Sequence, residues 1–189
     1  DIVKALLKHP NINVNHANQY GQTALIGASG KGHTDIVKLL LKHPNINVNN
    51  VSNEFGKTAL MYASEKGHIE CVELLLKHPS INVNHADEVG STALIIASIF
   101  GHSECVELLL KHPNINVNHA TNNYGWTALI YASRHGNPEC VELLLKHPNI
   151  NVNHADDIGI TALIIASKRG KTECVELLLK HPTIDPLQQ

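Results

Sequence analysis

Gly90-Ser-Thr-Ala-Leu-Ile-Ile-Ala-Ser-Ile-Phe-Gly-His-Ser-Glu-Cys-Val-Glu-Leu-Leu-Leu-Lys-His-Pro-Asn-Ile-Asn-Val-Asn118 decides the fold, because nearly all of the chain is a copy of this stretch. Its opening Gly-x-Thr-Ala-Leu recurs at Gly21, Gly56, Gly125 and Gly159, and its His-Pro recurs at Pro10, Pro44, Pro79, Pro148 and Pro182. The copies follow one another every 34 or 35 residues. A repeat of this length is typical of a stacked solenoid, in which each unit contacts only its neighbours.

Each copy contains signals for two short helices. Thr92 stands before Ala-Leu-Ile-Ile-Ala-Ser and is a predicted N-cap, because its hydroxyl can accept from a free amide of the first turn. Gly101 is positioned to end that helix. A second amphipathic helix should run over Glu104–Lys111 and stop at His-Pro. The alternating Ile-Asn-Val-Asn that follows predicts a short extended arm leading to the next Gly-x-Thr.

The landmarks divide the chain into one partial and five full repeats. Asp1–Pro10 matches Asp35–Pro44, so the sequence opens on the second half of a repeat, and we expect it to be a fragment. The predicted boundaries are 1–18 for the partial repeat, then 19–53, 54–87, 88–122, 123–156 and 157–189, all within one domain.

Composition narrows the classes of function. The net charge is −2, with 15 basic and 17 acidic residues interspersed, which argues against nucleic-acid binding. No apolar run approaches the roughly 20 residues needed to span a bilayer, so membrane insertion is not expected. Four cysteines occupy one register at Cys71, Cys105, Cys140 and Cys174, where Ile36 stands in an earlier repeat. Such a position is a small apolar slot, and free thiols favour an intracellular, cytoplasmic location.

Catalysis and metal binding are not indicated. Repetition explains the 14 histidines, and a ladder of histidines at repeat spacing does not converge on one ion as tetrahedral zinc requires. No Ser–His–acid or Cys–His arrangement occurs outside the repeated framework. We therefore expect no enzymatic activity, no metal and no cofactor. Protonation of so many imidazoles should make stability depend on pH.

The pattern Gly-x-Thr-Ala-Leu-x-x-Ala-Ser-x-x-Gly-His-x-Glu-Cys-Val-Glu-Leu-Leu-Leu resembles the ankyrin repeat from Asp1 to about Ile184. The resemblance implies an all-α repeat solenoid whose units are a helix–turn–helix plus a short β-hairpin finger. Two departures stand out: Thr-Ala-Leu-Ile or Thr-Ala-Leu-Met replaces the family's Thr-Pro-Leu-His, and His-Pro-x-Ile replaces its Gly-Ala. The resemblance further implies that fingers and first helices line a concave groove that binds other proteins.

Variation among the copies marks positions that the fold does not dictate. These positions flank the finger glycine and precede the glycine after the first helix, and they match the positions at which ankyrin repeat proteins contact partners. Aromatic side chains and arginine are enriched in binding hot spots. The predicted partner-binding residues are Tyr20, Phe55, Lys66, Val89, Ile99, Phe100, Tyr124, Trp126, Arg134, Ile158, Ile160 and Arg169. The competing interpretation is that some of these apolar residues only pack against the adjacent finger.

The sequence thus predicts a non-enzymatic scaffold that binds a protein or peptide through the concave groove, with Phe100, Tyr124 and Trp126 at its centre. The alternative is a structural spacer or a self-associating array that stacks through incompletely capped ends. A monomer is favoured over an oligomer, and end-to-end association is the form that an oligomer would take.

Overall fold

The computed structural model describes residues 2–185, which form α-helices arranged in antiparallel pairs along a solenoid. A single helix, α1, precedes five pairs, and within each pair the first helix lies beside the first helices of the neighbouring repeats. The helices are α1 (Ile2–Leu7), α2 (Ala24–Gly30), α3 (Thr34–Leu40), α4 (Ala59–Lys66), α5 (Ile69–Leu76), α6 (Ala93–Phe100), α7 (Ser103–Leu110), α8 (Ala128–His135), α9 (Pro138–Leu145), α10 (Ala162–Lys168) and α11 (Thr172–Leu179).

The predicted caps begin and end the first helices. In every full repeat the threonine hydroxyl accepts from the backbone amide three residues on, as Thr92 does from Ile95 at 3.4 Å. Gly101 ends α6 in the left-handed conformation with φ 73°, which a residue with a Cβ rarely adopts. Gly67 has a second reason to be glycine, because a Cβ there would lie 2.7 Å from Nδ1 of His102 in the next repeat.

The core is built from the same positions in each repeat. Leu94, Ile95 and Ala97 of the first helix are buried together with Cys105 and Leu109 of the second. The valine of each arm seals the core from the third side, as Val117 does. Small alanine and serine side chains let the first helices of adjacent repeats approach closely. The four cysteines are free and buried, which confirms their predicted role as apolar fillers.

The arm and the finger contain less regular β-structure than the predicted extended arm and β-hairpin. Within residues 2–185, the only β-type pairings are two isolated antiparallel bridges, Ala17 with Thr23 and Val51 with Thr58. Each arm folds into a turn, in which Asn116 Oδ1 accepts from the amide of Asn118 at 3.2 Å. Local side-chain bonds of this kind compete with strand pairing. The finger is therefore a turn closed by few backbone bonds, such as Gly90 N to Asp87 O at 2.9 Å.

A ladder of asparagines joins the arms of successive repeats. Asn84 donates its amide to the carbonyl of Asn114 at 2.6 Å and accepts from the amide of Asn116 at 2.8 Å. The last asparagine of each arm, at positions 15, 49, 118 and 153, makes the same pair of bonds to the following repeat. Each one satisfies two backbone groups of its neighbour, so these side chains replace the missing strand pairing.

The histidines serve the framework in two ways. In all six His-Pro pairs, Nδ1 accepts from the backbone amide two residues on, as His112 does from Asn114 at 3.3 Å. Arm histidines instead place Nε2 against the finger of the preceding repeat, as His119 does at 3.1 Å from the carbonyl of Gly90. These bonds explain why histidine recurs at both positions of the repeat.

Candidate functional site

One surface carries the variable positions, and we call it the groove face: the residues flanking the finger glycines together with the last residues of the first helices. Large apolar side chains protrude from it, whereas Cys105, Val106 and Leu109 of the second helix α7 are buried in the core. Phe100, at the end of α6, is 56% exposed. The other strongly exposed apolar residues of this face are Tyr20, Phe55, Val89, Tyr124 and Ile158.

The remaining predicted residues differ in exposure. Lys66 and Arg169 are exposed, while Ile99, Arg134 and Ile160 are partly buried. Trp126 is only 9% exposed, so most of its ring packs inside the protein. This placement agrees with the competing interpretation for that one residue and leaves it little surface for a partner.

Repeats two and three share an open cavity of about 310 Å³ on the groove face. Phe55 comes from one finger, Val89 from the next, and Ile96, Ile99 and Phe100 from α6. Lys57, Asp87, Glu88 and Ser91 complete the lining. An apolar floor with a polar rim suits one or two apolar side chains of a partner.

Lys57 crosses the groove face at one edge of this cavity. Its ammonium lies 2.7 Å from Glu65 Oε2 and 5.7 Å from the ring centroid of Phe55. Lys66 contacts the other oxygen of Glu65 at 2.8 Å. Burial alone would raise the pKa of Glu65, but the hydrogen bonds and charges of the two lysines outweigh it and hold that pKa below its usual value. One carboxylate in repeat two is therefore shared by two lysines, both of which are ion-paired.

The aromatic residues of repeat four pack against one another in a cluster centred on Trp126. The Trp126 ring lies 5.3 Å from that of Tyr124 and 5.2 Å, edge-on, from that of Tyr131. The guanidinium of Arg134 sits 4.9 Å from the indole centroid, within cation–π range. The indole Nε1 donates to Asp156 Oδ2 at 2.7 Å, which ties Trp126 to the next finger.

Asp156 also accepts hydrogen bonds from the backbone of that finger. Its other oxygen, Oδ1, accepts from the amides of Ile158 at 3.0 Å and Ile160 at 2.7 Å. Burial would raise the pKa of Asp156, but the bonds from Trp126 and the two amides, with the charge of His154, lower it overall. Tyr124 remains the exposed member of the cluster.

Sequence reasoning missed Asp87 and Asp156 as parts of this surface. Asp87 and Asp156 stand three residues before a finger glycine, which is the position where an aspartate bonds the amides of a turn. That signal was available in the sequence. The contact between Asp156 and Trp126 spans 30 residues and two repeats, and no local pattern indicates it.

Reactive groups are scarce on this surface. Among residues 2–185, no group of three or more His, Cys, Asp or Glu side chains could hold a metal ion. Burial, assisted by neighbouring glutamates, raises the pKa of Cys105 to about 11 and that of Cys140 to about 12, so both thiols stay protonated. None of the helices within residues 2–185 has the length and hydrophobicity to cross a membrane.

Family models for ankyrin repeats match most of the chain. A model of ankyrin repeats in three copies matches residues 1–87 and 80–156, and a model of ankyrin repeats in many copies matches residues 139–179. The comparison with curated proteins gave no match.

Solved structures of ankyrin repeat proteins also resemble the chain. The chain is similar to EF0377, an ankyrin repeat protein, with 27% identity and a TM-score of 0.86 over 94% of this chain and 90% of that one. It is also similar to an ankyrin repeat domain from Acinetobacter baumannii AYE, with 32% identity and a TM-score of 0.83 over the same shares of the two chains. The capped helix pairs, the stacked core and these matches together show that the chain belongs to the ankyrin repeat family.

Proposed function

We propose that the chain is a non-enzymatic scaffold that binds a protein or peptide through the concave groove formed by its fingers and first helices. The observation that carries this proposal is the set of apolar side chains exposed on the groove face around the cavity of repeats two and three. Ankyrin repeat domains are generally modules of protein–protein interaction, and the matches above support the same class here.

Phe55, Val89 and Phe100 contribute the accessible apolar area, and Tyr124 extends it towards repeat four. Burying exposed apolar area contributes about 25 cal/mol per Å² before the costs of association are subtracted. Trp126 acts as a support in this proposal, because it holds Tyr124 and Arg134 in place and exposes little of its own ring. Charged residues of the face would set the orientation of the partner.

The test is to select peptides against the folded chain from a random display library and to measure the affinity of the best one by calorimetry. We expect Phe55→Ala with Phe100→Ala to weaken binding at least tenfold, a loss of about 1.4 kcal/mol. Leu179→Ala is the matched control, because it removes a comparably exposed apolar side chain from the final helix, α11.

Equal melting curves for both variants would first establish that neither has lost the fold. Unchanged affinity in the Phe55/Phe100 variant, or an equal loss in the Leu179 variant, would contradict binding through the groove face.

The second candidate function is a spacer or self-associating array, and the observation that favours it is the exposure of α1, the first helix of the chain. All side chains of α1 are at least partly exposed, and Ile2 and Leu6 are both exposed. A second copy stacked on α1 would cover them. Sedimentation velocity distinguishes the two candidates: a coefficient that rises with concentration supports stacking, and a constant monomer value removes it.

A further inference from the structure

The ends of the first helices change in charge along the solenoid. The two residues before the glycine that follows each first helix share one register and read Gly30-Lys31, Glu65-Lys66, Ile99-Phe100, Arg134-His135 and Lys168-Arg169. In repeat two the two lysines are both ion-paired, because Glu65 contacts Lys57 and Lys66. Repeat three is apolar at this register. Repeats four and five present bases alone.

The bases of repeats four and five converge. Lys171 follows α10, and a Cβ placed on Gly136 would lie 2.6 Å from its Cδ and 3.1 Å from its Nζ. The ammonium therefore lies against Gly136, the residue that follows the end of α8 at His135. The pKa of His135 is lowered by burial and by the positive charges of Arg134, Lys171 and Arg169.

We call this cluster the basic patch: Arg134, Lys168, Arg169 and Lys171. Within residues 2–185, none of these four side chains has a carboxylate at ion-pair distance. Arg134 is also held in position over the indole of Trp126. The patch is therefore a set of unneutralised cations, one of which is fixed by packing.

Favourable interaction with the helix dipoles does not account for the patch. A cation near a helix C-terminus gains only about 0.3 to 1 kcal/mol when exposed. Helix α6 has the same length as α8 and ends in Phe100 without any basic residue in its last turn. The fold therefore does not require bases at this register.

We propose that the groove face recognises an acidic peptide segment: one apolar side chain enters the cavity of repeats two and three, and a run of carboxylates lies on the basic patch. This inference rests on the proposed function and names the chemistry of its partner. Adjacent helices pack about 10 Å apart, so the two contacts are separated by about 15 Å. An extended chain covers that distance in four or five residues.

An acidic peptide fits better than a nucleic acid. Nucleic-acid binding requires a basic face that continues along the phosphate backbone. Here the basic patch is confined to repeats four and five, while Glu54, Glu88 and Asp157 are exposed on the fingers of the same face. A short acidic segment can contact the patch and leave those fingers, whereas a long polyanion would pass close to them.

The probe is a fluorescent peptide with a leucine pair, a glycine–serine spacer of about four residues and a run of glutamates, compared with a counterpart carrying lysines. A version with the order reversed covers the opposite chain direction. Binding is measured by anisotropy at low and high salt with the parent chain, the Lys168→Gln/Arg169→Gln variant and the Lys38→Gln/Lys42→Gln variant. The last is the matched control, because it removes the same charge from two exposed lysines on and just after α3.

We expect the acidic probe to bind, and the Lys168/Arg169 variant to lose about five- to tenfold in affinity at low salt. The control variant should bind the acidic probe as tightly as the parent chain does. At about 1 M salt the Debye length shortens to about 3 Å, and this screening should remove the difference in affinity between the parent chain and the Lys168/Arg169 variant. Phe55→Ala/Phe100→Ala should lower the affinity for the acidic and the lysine probe by the same factor. The experiment therefore tests the apolar contact separately from the contact with the carboxylates.

Three results would overturn the inference: equal affinity for the acidic and lysine probes, equal loss in the two lysine variants, or tighter binding of a single-stranded DNA oligonucleotide than of the acidic peptide. An NMR titration of His135 gives an independent readout. Bound carboxylates should offset the neighbouring cations and raise the pKa of His135, and an unchanged titration with bound probe would likewise count against the patch.

Discussion

Repeats two–three and repeat four place aromatic residues at equivalent positions and use them differently. After the finger glycine, repeats two and three hold Lys57 and Ser91, and their aromatics Phe55 and Phe100 stay exposed around a cavity. Repeat four holds Trp126 there, and the ring is buried under Tyr124, Tyr131 and Arg134 with a hydrogen bond to Asp156. Aromatic residues of the same face therefore supply either open contact area or internal support.

The comparison is tested most strongly by truncating one aromatic residue from each region. Trp126→Ala should lower the free energy of unfolding by about 3 kcal/mol, because a buried ring, its cation–π contact and its hydrogen bond are lost. Phe100→Ala should cost less than about 0.5 kcal/mol, as exposed substitutions usually do. Chemical denaturation of both variants checks this. Similar small losses would show that Trp126 is as accessible as Phe100.

The asparagine ladder is common to both regions and should stabilise them equally. Asn84→Ala should cost about 1 to 2 kcal/mol, because two bonds to the next repeat are lost. Asn116→Ala is the control, since its Oδ1 bonds only within its own arm, to Asn118. Equal unfolding free energies for the two variants would argue against the ladder as a link between repeats.

The finger aspartates isolate the contribution of the indole. Asp87 and Asp156 each accept from two amides of their own finger, but only Asp156 also accepts from Trp126. Asp156→Ala should therefore destabilise the fold by about 1 kcal/mol more than Asp87→Ala. Because the pKa of Asp156 is lowered in the folded state, this stabilisation is present above the ordinary aspartate pKa and is lost as the pH falls through the folded-state value. A difference that persists in strong acid would contradict this origin.

Acid should also weaken the fold near neutral pH. The pKa of His135 is lowered in the folded state, so the unfolded chain binds its proton more readily and stability falls as the pH drops below the ordinary histidine value. A melting temperature that is the same at pH 7.5 and pH 5 would contradict this contribution.

The sequence predicted what depends on local or repeated signals. Thr92 and Gly101 lie at the ends of α6, as their cap signals predicted. Cys105 is a buried apolar residue, as its register predicted, and Phe100 is exposed, as its variable position indicated. The arm was mispredicted as extended because apolar–polar alternation does not show that asparagine side chains will bond their own turn. The burial of Trp126 depends on Asp156, 30 residues further on in the next finger, and such a contact has no local signal.

Methyl NMR of the folded chain with the selected peptide tests the central claim most directly, since it reads the contact surface without a mutation. We predict that the largest chemical-shift changes occur at Val89 and Ile99, with smaller changes at Ile158 and none at Leu179 on α11. Changes concentrated on α1 or α11, with the methyl groups of the groove face unaffected, would contradict binding through that face.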